Sequence, residues 1–275
     1  MKIRQPAVAN MFYPGNPVML KQNILQYLGA AEVSEEARAR VRAGKLKGVI
    51  VPHAGYIYSG PVAAYGYKLF KDLPKDREWK ILLIGLSHGV PFSGASVVSD
   101  GVWKTPLGDV RVKDIRDELG VAHDDEEIFL DVPEAHTSEH SLEVQVPFLQ
   151  IALDGKFVLY PIATGSVRPD FLAEKLAGFV SGEDVIVVVS SDLSHYLPYE
   201  EACRIDRETL GNIVGMKTDD VIERGDACGL KGILTMMFLA EKFGWKPELL
   251  DYRNSGDTAG EKDKVVGYGS VGWMR

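Results

Sequence analysis

Cysteine is nearly absent: Cys203 and Cys228 are the only two in 275 residues. Two cysteines make no disulfide framework, which suits a reducing, cytoplasmic compartment. Amides are scarce as well, with five Asn and five Gln. They deamidate when hot, so their depletion beside frequent Glu and Lys points to a thermophilic source. No apolar run approaches the roughly 18 residues of a membrane span; Val185–Val189 is among the longest. The opening segment, Met1–Pro17, lacks the apolar stretch of a secretory leader. Basic excess is missing too. With 31 Lys+Arg against 39 Asp+Glu, the net charge is −8, so nothing draws the chain to nucleic acid or to an anionic membrane.

The composition that remains, 45% hydrophobic and 25% charged, is that of a folded globular protein. No repeat, low-complexity tract or Pro/Ser-rich linker divides it, and residues 1–275 read as a single α/β domain. The acidic stretch His123–Glu127 is expected as a solvated turn, with His123 at the surface.

Strands are expected over Lys47–Val51, Trp79–Leu86, Ala95–Val98, Lys156–Ile162, Val185–Ser191 and Val265–Trp273. Several are apolar at successive positions, as strands covered on both faces must be. Helical patterns cover Pro17–Leu28, Ser34–Ala43, Pro61–Phe70, Val112–Leu119, Ser138–Leu153, Pro169–Val180, Tyr199–Val214 and Cys228–Phe243. This alternation predicts a mainly parallel central sheet with helices on both faces. Turn signals at Asp100-Gly101 and Leu107-Gly108 mark Ser96–Val112 as a hairpin excursion.

In an open α/β sheet, ligands bind beyond the carboxyl ends of the strands. Three apolar strands each deliver a histidine or carboxylate there: Pro52-His53, Ser87-His88 and Asp192-Leu193-Ser194-His195. Polar residues are common where strands meet loops, but three such deliveries from a chain with six histidines mark a site. Gly55, Gly60, Gly85 and Gly89 flank two of them and suit either a crowded pocket or ordinary loops.

Cys228 follows Asp226, a candidate N-cap, which would place it in a first helical turn where a thiolate is stabilised. A buried core cysteine is the plain alternative, and it is the expectation for Cys203. His136 and His140 stand four apart, the spacing of some helical zinc sites, but Thr137 and Ser138 look like caps that leave His136 outside the helix. His140, with Glu143 one turn on, stays a pocket candidate. Gly267-Tyr268-Gly269-Ser270-Val271-Gly272 matches G-x-G-x-x-G literally. The chain ends three residues later, with no helix to receive a pyrophosphate.

Several blocks in order resemble the Memo family (protein B of the AmmeMemoRadiSam system), nearly end to end. They are Asn10–Pro14, Val51–Tyr56, Gly85–His88, Glu139–Glu143, Ser190–His195, Asp226–Gly229 and Gly267–Ser270. The resemblance implies a fold similar to class III extradiol ring-cleavage dioxygenases. It implies a metal pocket whose two histidines and cysteine match His53, His88 and Cys228, with Asp192 and His195 beside it. It also implies radical-SAM and AMMECR-type partner proteins, and for the animal member a link to motility signalling and redox control. The dioxygenases hold Fe(II) with two histidines and a carboxylate. A thiolate in the third place is softer and suits Cu(I) or Fe(II), with zinc left open, so ring cleavage does not carry over.

Three functions compete. The leading one is a mononuclear iron or copper protein with a redox or dioxygenase-like role. Its metal ligands would be His53, His88 and Cys228, with Asp192, His195 and His140 as catalytic candidates. A metal-free enzyme would use Cys228 as nucleophile and His195 as base, with Asp192 orienting it. A non-catalytic member would receive a small molecule, peptide or protein, with Tyr13, Tyr56 and Tyr58 at the rim.

Overall fold

Along the strand Trp79–Leu86, Ile81 and Leu83 pack into one apolar cluster while Leu82 and Ile84 pack into another. The strands Leu46–Val51 and Val185–Ser190 divide their residues the same way, Val49 and Val188 on one face, Ile50 and Val187 on the other. Unbroken apolar runs are therefore what a sheet covered on both faces requires. Burying each such side chain contributes about 1.5–3 kcal/mol. The computed structural model describes residues 2–122 and 128–275; the expected turn at His123–Glu127 lies outside them.

The centre of the sheet is parallel. Trp79–Leu86 pairs with Phe157–Thr164 on one side and Val185–Ser190 on the other, and Val185–Ser190 pairs in turn with Leu46–Val51. Val265–Met274 closes this side antiparallel to Leu46–Val51, and Lys246–Asn254, a strand not anticipated from the sequence, pairs with it. The expected hairpin excursion forms from Gly101–Thr105 and Gly108–Val112. The structure is thus an α/β domain with a mixed, mostly parallel sheet. Helices Pro17–Ala30, Tyr56–Phe70 and Gln145–Ala152 feed one core, and Pro169–Val180 and Leu230–Phe243 the other. No helix among the described residues is long and apolar enough to cross a membrane.

Four local expectations need correction. The helix expected from Pro61 begins at Tyr56, so Pro61 lies inside it. The helix expected over Ser138–Leu153 is broken into Glu134–Thr137, His140–Glu143 and Gln145–Ala152. Val112 ends a strand, and its helix starts at Ile115. The helix expected from Cys228 starts at Leu230, with Gly229 as its cap residue and no side-chain cap from Asp226. The glycine-rich closing motif runs inside the strand Val265–Met274. There Gly267 is required by close approach, since a Cβ would lie 2.0 Å from Asp206 Oδ2.

Candidate metal centre

Register explains why distant residues meet. Val51 is paired with Ser190, and Ile84 with Val189, so three parallel neighbouring strands end at nearly one level. His53, Asp192 and His88 each stand two residues beyond the end of such a strand. The His53 N–H donates to Asp192 Oδ1 at 2.7 Å, tying two of these loops together. His140 arrives from outside the sheet. Its short helix sits against Leu86, whose N–H donates to Ser141 Oγ while Ser141 donates to its carbonyl at 2.9 Å.

One ring nitrogen from each of His53, His88 and His140 lies within 4.8 Å of the other two. The His88 and His140 rings stack, with centroids 4.3 Å apart, and His53 meets both edge-on at 5.3 and 5.4 Å. Phe12 packs against the His140 ring. The cluster floors a cavity of about 620 Å³ that also reaches Asp192 and His195. Tyr58, Tyr196 and Tyr268 line it, and Glu261 and Lys264 stand at its rim. Tyr196 is held at φ +60°, an uncommon conformation for an aromatic residue, and is 70% exposed. His195 pairs with Val266, which places it over the carboxyl ends of the strands.

The tautomer of His53 follows from hydrogen-bond accounting. Ser190 Oγ donates its one proton to the Ser141 carbonyl at 2.6 Å and accepts from Gln145 Nε2 at 2.8 Å. The contact of 3.0 Å with His53 Nδ1 therefore carries the imidazole proton. The lone pair of His53 rests on Nε2. Burial and the neighbouring His88 hold the His53 pKa down at about 3, and burial and His53 hold His140 at about 4. These rings are neutral at pH 7, the state that binds a metal. Burial raises Asp192 to about 6, against the His53 and Ala54 N–H groups that favour its charge.

Cys228 lies beside the cluster without joining it. Its Sγ is 3.2 Å from His53 Nε2 and accepts the Asp192 N–H at 3.2 Å. Burial and the Asp192 charge push the thiol up to about 12, the reverse of the activated thiolate expected at a helix start. No hydrogen bond joins Cys228 to His195 among the described residues; its imidazole neighbour is His53. Cys203 is buried, as expected of a core cysteine.

The break at Ser138 separates the paired histidines. His136 is buried beneath Trp103, its Nε2 on Ser96 Oγ at 3.0 Å, and only His140 enters the cleft. Glu143 also faces away, accepting from Arg4, the Ala7 and Val8 N–H groups and the Tyr13 hydroxyl. Tyr13 and Tyr56 are buried, which leaves Tyr58 alone of the three expected rim tyrosines in the cleft. Sequence reasoning missed Glu139, whose carboxylate accepts the His88 N–H at 2.7 Å and meets His88 Nδ1 at 2.9 Å. Burial raises its pKa, but hydrogen bonds from His88 and Ser141 outweigh this and bring it to about 2.

Gly85-Leu86-Ser87-His88-Gly89 matches G-x-S-x-G literally. Ser87 Oγ accepts the Val90 N–H and no helix follows, so the strand–turn–helix of a nucleophile elbow is missing. A second cavity, of about 480 Å³, is lined by Ile3, Val102, Trp103 and His136 and contains none of the clustered histidines.

The family model described as Memo-like protein matches residues 4–272. A MEMO1 family protein of Sulfurisphaera tokodaii is 37% identical, and one of Sulfolobus acidocaldarius 38%, each alignment covering 98% of both chains. Both sources are thermophilic archaea. A solved structure, that of the uncharacterized protein JW3007 from Escherichia coli K12, is 14% identical with a TM-score of 0.48. That match covers 83% of this chain and 99% of the other. The chain belongs to the Memo-like protein family.

Proposed function

We propose that this protein holds one metal ion on His53, His88 and His140 and uses it in redox or dioxygenase-like chemistry on a small molecule or peptide in the cleft. The observation that carries the reading is the convergence of three imidazoles at the floor of a cavity large enough for a substrate. The donor set fits an ion. His53 is neutral with its lone pair on Nε2, and His88 offers Nε2 because Glu139 occupies its Nδ1. Imidazoles alone suit zinc, copper or iron. The Cys228 thiol beside His53 supplies a soft donor that favours Cu(I) or Fe(II), and it is the ligand that the family resemblance implies.

A bound ion would polarise a ligand or exchange an electron. The chain's own groups do the rest. Asp192 fixes the His53 loop through its N–H and, with a pKa near 6, can hold or release a proton beside the cluster. His195, which lines the same cavity, is a further acid or base for a substrate bound there.

A second reading, a binding member of the family, has its own support. Met11, Ile57 and Tyr196 are exposed hydrophobics adjacent in sequence to the cleft residues Phe12, Tyr58 and His195. Such a surface suits a peptide or a protein, including the radical-SAM and AMMECR-type partners.

The test is metal retention. Anaerobically purified protein is offered equal Fe(II), Cu(I) and Zn(II), passed through a desalting column and analysed for each metal. Retention of iron or copper that changes oxidation state with mild oxidants supports the redox reading. Retention of zinc alone contradicts it and favours a hydrolytic or binding role.

A further inference from the structure

We propose that Glu139 is the positioning residue of this metal centre: a carboxylate that ligates nothing, fixes the tautomer and orientation of His88, and braces His140. The inference rests on the metal reading above and extends it to a residue that neither sequence reasoning nor the histidine cluster itself singles out.

Glu139 is 5% exposed, and both of its carboxylate oxygens accept hydrogen bonds. Oε2 accepts the His88 backbone N–H at 2.7 Å. Oε1 accepts the His88 ring at Nδ1, 2.9 Å away, and the Ser141 N–H at 2.7 Å. An ionised carboxylate only accepts, so the ring proton of His88 sits on Nδ1 and its lone pair on Nε2. Gripping one residue at both its backbone and its ring leaves the imidazole little rotational freedom. The same Oε1 lies 3.5 Å from His140 Nδ1, a contact rather than a hydrogen bond. Its bond to the Ser141 N–H caps the short helix on which His140 stands. One oxygen thus touches both stacked rings.

Glu139 is itself held. Arg4 Nη2 donates to the Glu139 carbonyl at 2.9 Å, and Arg4 Nε donates to the His136 carbonyl at 2.8 Å. Three of the carboxylate's roughly four lone-pair sites are spent on N–H groups, and Glu139 is not among the clustered donor residues His53, His88 and His140. His53 gains the same tautomer from Ser190, a neutral partner. Of the two, His88 receives a charged one, which grips it at the backbone N–H as well as at the ring. Losing such a partner typically weakens metal binding about 10- to 100-fold.

The test uses Zn(II), a redox-silent probe, titrated against a chromophoric chelator into wild type, Glu139→Gln, Glu139→Ala and His88→Ala. Long-range proton–nitrogen NMR of the metal-free proteins reports the tautomers. The proposal predicts Nδ1–H for His88 in wild type, mixed tautomers in E139A, and a loss of Zn(II) affinity of about 10- to 100-fold in E139A. E139Q can still accept the ring proton, so it keeps the tautomer and loses less affinity; it decides the matter if E139A does not fold. Unchanged affinity in both variants, or Nε2–H at His88 in wild type, overturns the proposal while leaving the metal site standing. A loss as large as that of His88→Ala makes Glu139 a ligand and overturns it too. Wild type that binds no Zn(II) defeats the metal reading itself.

Discussion

Cys228 Sγ lies 3.2 Å from His53 Nε2, yet the thiol is held protonated. Burial and the charge of Asp192 raise it to about 12, so proximity to an imidazole does not make this cysteine a nucleophile. The His53 lone pair faces the sulfur from a ring too buried to take its proton.

Iodoacetamide should therefore label Cys228 of the metal-free protein far more slowly at pH 8 than it labels a free thiol. The rate should keep rising above pH 9. Mass spectrometry of the labelled peptide checks this, with buried Cys203 as an internal control. Rapid labelling at neutral pH would revive the metal-free cysteine enzyme.

Two buried histidines and one half-buried one should resist protonation. His53 is held at about 3, and His136 and His140 at about 4, in each case first by burial. In the unfolded chain they protonate near 6.5. As pH falls below 6.5, the unfolded state takes up protons that the folded state refuses, so these groups lose stability toward acid. Asp192, raised to about 6, works the other way: its contribution is lost as pH rises from its unfolded value toward 6. In metal-free protein, the ring resonances of these histidines should not shift between pH 7.5 and 5. His136→Gln should flatten the stability–pH slope between 6.5 and 4.5 by about 1 kcal/mol per pH unit. Rings that titrate near 6.5 would contradict the burial argument.

Glu143 anchors the N-terminal arm. Its carboxylate meets Arg4 at 2.6 Å, with side chains 10% and 1% exposed, and also accepts two backbone N–H groups and the Tyr13 hydroxyl. Glu143→Ala strands a buried guanidinium and three further donors, and should cost about 3–5 kcal/mol in chemical denaturation. Because Phe12 packs on His140, the variant should weaken Zn(II) binding as well. A loss below about 1 kcal/mol would mean that the arm is held by apolar packing instead.

The parts of the site that follow strand ends could be read without a structure. His53, His88 and Asp192 each come two residues after the end of a mainly apolar strand, and parallel pairing brings such ends together. His140 was harder, because its meeting with the others depends on the chain breaking at Ser138, which a helical pattern over Ser138–Leu153 conceals. Glu139 was hidden for a related reason: the Glu side chain itself caps the short helix, a role more often given to Ser, Thr, Asp or Asn. The setting of Cys228 is hidden in the sequence because Asp226 looks like a cap, whereas the helix waits until Leu230. The early start at Tyr56 is masked because Pro61 resembles a first helical residue. Contacts between segments far apart in the chain, such as Arg4 with Glu143, leave no local pattern to read.

The central claim is that His53, His88 and His140 hold one ion. Its most direct test is the stoichiometry of bound metal in wild type, His53→Ala, His88→Ala, His140→Ala and Cys228→Ser, each loaded anaerobically and desalted. The account predicts one ion per wild-type chain, loss in all three histidine variants, and retention in Cys228→Ser with weakened preference for Cu(I). Full occupancy in His140→Ala, or a wild type that retains no metal, would contradict it.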